Sequence, residues 1–453
     1  MRVAIVGSGI AALGAAHNLR GNAHITLLEA NDYFGGHTHT VDATLPGPHG
    51  PVTHGVDTGF LVYNERTYPR LIALFAELGV VTAPAQMSFS VQMAGDGRSG
   101  PVQWGGASAA SVFAQRRNLV RPAFWGMLRD LMRFNALTTR IATAGNESEL
   151  QQPLGDFLRQ HQFSSAFCNW YFLPMMACIW SCPAAQMLQF PVATMIRFCH
   201  NHGLLQIRNR LQWHTVRGGA RQYVEKILAS LPDKRLRTPV RAVARVPGGV
   251  HVMTDAGTEM FDHVVLATHS DQALSLLRDA TASERQVLAA FRYHPNRAIL
   301  HTDASVLPSR RSAWAAWNYE RAAVPPGTPA MQDAPVCLHY LLNLLQPLPW
   351  RQPVLVSLNP LREIPAHLIL GSFDYSHPVL DQQAITAQGA LDALQGYGGT
   401  HFCGAWTGYG FHEDGLRSGQ AAAQRILQSP AVVQREAASQ ARPCCQQLRR
   451  RSR

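Results

Sequence analysis

The sequence predicts an α/β fold built on a Rossmann-type dinucleotide-binding domain, a parallel sheet with a β-meander. Three observations carry this. RVAIVGSGIAALGAAHNLR (residues 2–20) reads as strand, glycine-rich loop and helix; HITLLE (24–29) is a second apolar strand ending in an acid; and RLRTPVRAVARVPGGVHVMTDAGTEMFDHVVLAT (235–268) alternates as successive strands before closing on a buried VVLA strand.

Each element has a physical reason. Val3 to Val6 form an apolar strand, and the loop Gly7-Ser8-Gly9-Ile10-Ala11-Ala12 follows it directly. Gly7 permits the tight turn, Gly9 lets a diphosphate approach the backbone, and Ala12 keeps helix and strand close. The helix then carries Leu13, Ala16 and Leu19 on one face, with its N-terminal N–H groups and dipole turned to the diphosphate. Glu29 stands about twenty residues after Gly9, where a carboxylate accepts both ribose hydroxyls. A glycine-rich turn followed by a surface glutamate is the competing reading.

Composition sets the class. A chain of 453 residues, 46% hydrophobic and 15% charged, buries a large core. The net charge of +11 is nearly all arginine, since the only lysines are Lys226 and Lys234. That balance favours anionic partners, but nothing reads as a nucleic-acid module, so nucleic acid is not an expected partner. The eight cysteines are scattered without a C-x-x-C pair, as in reduced, buried thiols of a cytoplasmic protein with no metal. The first strand begins at residue 2, which leaves no room for a leader, and the most apolar run, FCNWYFLPMMACIW (167–180), is too short and interrupted to span a bilayer.

A second glycine-rich stretch, GAWTGYGFHEDGLRSG (404–419), runs into an alanine-rich helix near the end of the chain. Together with Glu29-Ala30, Gly35-Gly36-His37-Thr38, VDTGFLVYN (56–64) and HTVRGGARQYVEKIL (214–228), it resembles the flavin-containing amine oxidase superfamily. The resemblance implies FAD as cofactor and an α+β substrate domain of the amine-oxidase type. It implies that Gly7, Ser8, Gly9, Ile10, Ala11, Ala12, Glu29, Ala30, Gly36, His37 and Thr38 hold the adenosine diphosphate side. Gly59, Phe60 and Leu61 would pass under the flavin ring, Val240 would meet the adenine through its backbone, and Thr268, Gly404, Phe411 and His412 complete the set. A backbone N–H at the entry to the last helix, that of His412, would stabilise negative charge on the flavin pyrimidine. His37 stands where such sequences usually carry Arg, and Ala405 where they carry an acid.

A narrower resemblance, through YFLPMMACIWSCP, NHGLLQ, AWAAWNYE, LNLLQPLP and DYSHPVLD, is to bacterial amine-oxidase-like proteins related to the N-terminal half of plant cyclopropane fatty acid synthases. It implies a lipid substrate: dehydrogenation or desaturation of an unsaturated or methyl-branched fatty acyl chain, with hydride passing to flavin N5 and reoxidation by oxygen or another acceptor. Allylic positions suit this because the adjacent double bond weakens their C–H bonds. An auxiliary lipid-binding flavoprotein serving a fatty-acyl methyltransferase, and an atypical amine oxidase, are the alternatives. Amine oxidases of the family generally keep a lysine beside flavin N5, whereas Lys226 and Lys234 both fall in the cofactor part of the chain.

The resemblance implies a discontinuous FAD domain (1–75, 205–275 and 395–430), a substrate domain (76–204 and 276–394), an active site where they meet, and a basic, disordered tail (431–453). For proton handling His412 is the first candidate, with Tyr63 and Tyr409 as alternatives; a role for the His412 backbone alone is the competing reading. Trp317, Asn318, Tyr340 and Asn343 lie in segments expected to line the substrate side, and packing explains them equally well. The Met- and aromatic-rich run 167–198 suits core packing and also an acyl cleft. FAQRRNLVRPAFWGMLRDLMRFN (113–135) interleaves five arginines with Phe, Trp, Leu and Met, so it reads either as a solvated helix face or as a peripheral contact with the inner face of the membrane.

Overall fold

The computed structural model describes residues 1–95, 100–144, 152–180, 184–204, 206, 210–322 and 337–429. The basic tail expected at 431–453 lies outside them. The chain forms two compact units.

The first unit takes in 1–38, 223–290 and the chain from Ala387 onward. Its centre is a five-stranded sheet in the order Asp233–Arg235, His24–Leu28, Arg2–Val6, His263–Leu266, Thr400–Phe402, parallel throughout. Val3, Ala4, Ile5, Val264, Val265 and Leu266 are wholly buried, as expected of strands covered on both faces. Three antiparallel strands, Val240–Val246, Gly249–Thr254 and Gly257–Phe261, form the meander. Arg245 ties it to the helix Ala282–Leu288 by a buried ion pair with Glu284, and also reaches Asp279 at 3.4 Å.

The first helix, Ile10–Leu19, and the last, His412–Leu427, cross almost backbone to backbone. Glycine makes this possible. A Cβ on Gly14 would stand 2.7 Å from Leu416 Cδ1, one on Gly415 2.8 Å from Ile10 Cγ2, and one on Gly419 would be driven into the Ala11 carbonyl.

The second unit takes in His39–Gln222 and Phe291–Thr386. Its seven-stranded sheet runs Ile369–Val379, Arg292–His301, Leu355–Leu358, Cys337–Leu341, Trp317–Arg321, Phe89–Met93, Val102–Gly105. Every pair is antiparallel except Trp317–Arg321 with Phe89–Met93. Residues 39–75 and 205–222, grouped with the cofactor part in the sequence reading, cluster here. One reason is Asp57, whose buried carboxylate accepts from the Ala220 N–H (2.9 Å), the Thr40 hydroxyl (2.5 Å) and the Gln346 amide (2.6 Å). The stretch 56–64 is not one strand. It breaks between Gly50–Asp57 and Tyr63–Asn64, where the Thr58 N–H and hydroxyl turn to the His39 carbonyl and Leu61 O accepts from Thr215.

The aromatic run packs as core. Phe134, on the helix Pro122–Ala144, lies 4.6 Å from Phe172 and 5.4 Å from Phe167 between ring centroids, and Phe172, Met176, Met187 and Phe190 are fully buried. Among the described residues no helix is long and apolar enough to cross a membrane.

Gly419→Ala is expected to cost about 3 kcal/mol, because the obstruction is backbone and cannot rotate away. Gly126→Ala, in a helix interior with nothing within 4 Å of the new methyl, should instead stabilise by about 0.5–1 kcal/mol. Chemical denaturation of the two variants checks the contrast.

Candidate functional site

In the first unit the N-terminal loop is shaped by what it lacks. Gly7 sits at φ +95°, donates to the Leu28 carbonyl at 2.8 Å, and leaves no room for a Cβ, which would meet Ala267 O at 2.9 Å. Gly9 is different, for a Cβ there would find nothing within 4 Å. Gly9 caps the first helix without a side-chain hydrogen bond, and no acid occupies the first turn. Open space at the Gly9 Cβ position thus adjoins a helix N-terminus with no side-chain cap and a favourable dipole. Gly36, at φ +58°, closes on Gly9, a Cβ there lying 3.1 Å from its Cα.

Ser8 turns its hydroxyl away from that space, donating to Glu29 Oε2 at 2.5 Å and accepting from Gly35 N at 3.0 Å. Glu29 is buried, and its Oε1 accepts from Asn31 N at 2.9 Å. Two of the four lone-pair positions of the carboxylate are thus occupied, which leaves two for hydroxyl donors. Backbone bonds from Glu29 N to Arg235 O and from Thr238 N to Glu29 O bring the start of the meander, at Val240, to the same corner. Ala30 follows on the exposed side. His37 lies 6.4 Å from His269 between ring centroids, and burial holds the His269 imidazole below its ordinary range. Thr268 sits beside Gly7, and its carbonyl accepts from the Trp406 indole at 3.1 Å.

The second glycine-rich stretch folds around two polar side chains. The Ser418 hydroxyl accepts from Gly404 N at 3.0 Å and lies 2.8 Å from Gly415 O, clamping the end of the last strand to the last helix. Asp414 accepts from Tyr409 N (3.0 Å) and Phe411 N (3.2 Å) and pairs with Arg417 at 3.1 Å. Burial pushes its carboxyl up to about 6. The helix begins at His412, whose Nε2 meets Thr38 Oγ1 at 3.0 Å, and Thr38 Oγ1 lies 2.5 Å from the buried Tyr223 hydroxyl. Packing around the ring pushes the His412 imidazole down to about 3, so at neutral pH it is uncharged and bonded to Thr38. Its side chain positions the helix entry.

In the second unit the predicted residues divide. Tyr63 is buried against Phe75 (5.4 Å) and His214 (5.7 Å), and burial raises its hydroxyl above the ordinary range. Gly59, Phe60 and Leu61 form the irregular link before it, with Phe60 and Leu61 buried. Asn318 is spent internally: its oxygen accepts from Ser90 (2.7 Å) and Ala315 N (3.0 Å), and its amide donates to Ala315 O and His339 O. Asn343 likewise bonds Trp350 O, Gln352 O and Val354 N. Trp317 and Tyr340 face each other across paired strands, rings perpendicular at 5.5 Å. The Trp317 indole N–H is buried with no hydrogen-bond partner among the described residues.

The sequence reading passed over a wire of hydrogen bonds across the seven-stranded sheet. Asp303 N donates to His301 Nδ1 (3.0 Å), so His301 Nε2 carries the proton and donates to Ser357 Oγ (2.7 Å). Ser357 then donates to His339 Nδ1 (2.6 Å), and His339 Nε2 donates to Glu320 (2.8 Å). Glu320, Cys337 and His339 bring three metal-ligand types within 4.8 Å, but in this tautomer the nitrogen a metal would need already carries a proton.

Comparison with known proteins settles the class. The model of the family described as flavin-containing amine oxidoreductase matches residues 10–320, which begins just after Gly9 and includes Glu29 and Val240. The chain belongs to that family. Its fold is shared with the CLA-producing fatty acid isomerase from P. acnes (TM-score 0.63, 16% identity, covering 94% of this chain and 98% of the other). It is shared equally with cyclohexylamine oxidase from Brevibacterium oxydans (0.65, 17%, 94% and 98%) and with a putrescine oxidase bound to putrescine (0.64, 16%, 95% and 100%). No curated protein sequence matches the chain.

As a flavin-containing amine oxidoreductase the chain is an FAD-dependent oxidoreductase, and the first unit fits that cofactor. The open space at Gly9, the uncapped helix N-terminus and the half-used Glu29 carboxylate are the features a diphosphate and a ribose require. Gly9→Ala should keep the fold, since its methyl enters open space, yet lower FAD affinity at least about tenfold; flavin absorbance per folded protein reads this.

Burial also holds His202 and His301 down to about 4 and His401 to about 3. With His412, these four groups are neutral when folded but take up protons near pH 6.5 when unfolded. Each contributes stability that is present above about 6.5 and lost as pH falls toward its folded value. Asp57, raised to about 7, and Asp414 act with the opposite sign. Burial lowers His263, His269 and His294 in the same direction, so stability should fall on acidification from pH 6.5, and His412→Gln should reduce that slope by up to one proton in denaturation series across pH.

Proposed function

We propose that the enzyme dehydrogenates or desaturates an unsaturated or methyl-branched fatty acyl chain. The observation that carries this reading is the character of the second unit. It contains no lysine, the charged group that amine oxidases of this family generally keep. Of the four residues expected to face substrate, both amides are consumed by backbone. What remains is an aromatic pair, an indole N–H on Trp317 and a phenol on Tyr340, whose rings suit an apolar chain and whose indole N–H suits an acceptor such as a carboxyl or ester oxygen. Likeness in fold to a fatty acid isomerase is compatible with this, as is likeness to amine oxidases with an amine substrate.

In this reading FAD, when bound, supplies the hydride acceptor. The backbone from Gly9 into the first helix turn would hold its diphosphate, and Glu29 would take the ribose hydroxyls. Thr38, through His412, fixes the entry of the last helix, so that its backbone N–H groups are preorganised rather than recruited during reaction. Tyr63 keeps its proton at neutral pH and acts as a donor; neutral His412 holds its bond to Thr38. Tyr409, whose backbone is pinned by Asp414, is the remaining proton-handling candidate.

The reading is tested by anaerobic stopped-flow absorbance of the flavin-loaded protein mixed with unsaturated or methyl-branched phospholipids and, separately, with polyamines and aromatic amines. Bleaching by lipid alone is expected. Bleaching by amines alone would establish an atypical amine oxidase. No reduction by either would leave an auxiliary flavoprotein acting with a fatty-acyl methyltransferase.

A further inference from the structure

The segment Arg116–Val120 and the helix Pro122–Ala144 that follows it in the second unit present an unusual surface. Eight large apolar side chains are exposed among the described residues, and four of them fall within residues 119–132: Leu119 (49%), Val120 (81%), Trp125 (49%) and Met132 (57%). Single exposed apolar residues are ordinary, but a cluster marks an interaction site. Along the helix Trp125, Arg129, Met132, Ala136 and Arg140 recur at steps of three or four, all exposed and hence on one face. The cluster is held in place. The Trp125 indole donates to Leu119 O at 2.9 Å, and buried Asn118 donates to Gln103 O at 3.0 Å, so Leu119 and Val120 project from an anchored turn.

The charges around these side chains have one sign. Residues 109–144 contain six arginines and a single acid, Asp130. Asp130 is buried, accepts from Ser164 N at 2.9 Å and lies 3.4 Å from Arg133. It therefore offers nothing at the surface, while Arg116, Arg117, Arg129 and Arg140 are exposed. Arg121 stacks over Trp170 at 5.5 Å. Aliphatic tips with a tryptophan, ringed by guanidinium groups that match phosphate, suit an interface that is apolar in depth and anionic at its rim.

We propose that this face docks the protein peripherally on an anionic phospholipid bilayer, with Val120, Leu119, Trp125 and Met132 entering the headgroup boundary and the arginines pairing with lipid phosphates. Docking here does not rest on the substrate assigned above, and its test reads binding without turnover.

The test is flotation of the full-length, flavin-loaded protein with two sets of vesicles: phosphatidylcholine alone, and phosphatidylcholine with roughly a third phosphatidylglycerol, a charge density like that of an anionic leaflet. The wild type should float with the anionic vesicles, poorly with the neutral ones, and less as salt is raised. Val120→Asp with Met132→Asp should weaken partition more than tenfold, because apolar insertion is replaced by charge repulsion. Arg116→Gln with Arg117→Gln should weaken it by about twenty-five-fold, near fivefold for each basic residue lost. These positions are exposed, so flavin content and circular dichroism should match the wild type. Equal flotation with both vesicle types, or variants that float as the wild type does, would overturn the proposal. So would a change in oligomeric mass, rather than in flotation, on Val120→Asp, since that would make the face a contact between copies of the chain.

Discussion

The cofactor unit depends on one contact, the crossing of its first and last helices through Gly14, Gly415 and Gly419. Because Gly419 has no side chain, the helix His412–Leu427 can lie against the Ala11 carbonyl, and that closeness sets where its N-terminus falls relative to the glycine loop. These two helices, some four hundred residues apart in sequence, thereby become one structural element. Helix dipoles act only over about the first turn, so both N-termini must be fixed by packing if both are to serve one ligand.

Polar anchors refine what the glycines allow. Thr38 receives His412 on one side and Tyr223 on the other, tying the segment after the second strand, the helix Arg221–Leu228 and the last helix into one buried cluster. Asp414 collects the loop N–H groups of Tyr409 and Phe411, and Ser418 takes that of Gly404. These bonds rigidify the loop before any cofactor arrives, which is how binding energy is kept for orientation instead of ordering. Within this unit the same enclosure leaves His401 and His412 neutral and the Asp414 carboxyl reluctant to ionise, so part of the pH dependence of stability comes from here.

Much of this was legible in the sequence where the signal is local. Gly7 announces the turn because its positive φ and the nearby Ala267 carbonyl exclude a side chain, and Gly9 and Ala12 follow it at the spacing of a dinucleotide loop. Glu29 is legible by its spacing, and the helix entry at His412 by the change from glycine-rich to alanine-rich sequence. Pairings over long separations were not. Nothing near Thr38 points to His412, and Gly415 and Gly419 read as part of a flavin motif without revealing that they exist to admit Ala11. The wire through His301, Ser357, His339 and Glu320 takes one residue from each of four strands, so it leaves no trace in any window of sequence. Asn318 and Asn343 lie in segments expected to line the substrate side, with packing an equal reading; their amides bond backbone groups, a detail no local pattern reveals. The exposed face of Pro122–Ala144 was visible as a pattern of arginine and apolar residues, but only the structure separates buried Phe124 and Phe134 from exposed Trp125 and Met132.

The central claim is that the helices Ile10–Leu19 and His412–Leu427 form a single cofactor-binding element. Hydrogen–deuterium exchange of the protein with and without FAD tests it most directly, comparing amides of residues 10–19 with those of 412–427. If the crossing couples them, FAD should slow exchange in both helices together and by similar factors. Protection confined to 10–19, with 412–427 unchanged, would contradict the claim and leave the second glycine-rich stretch as packing alone.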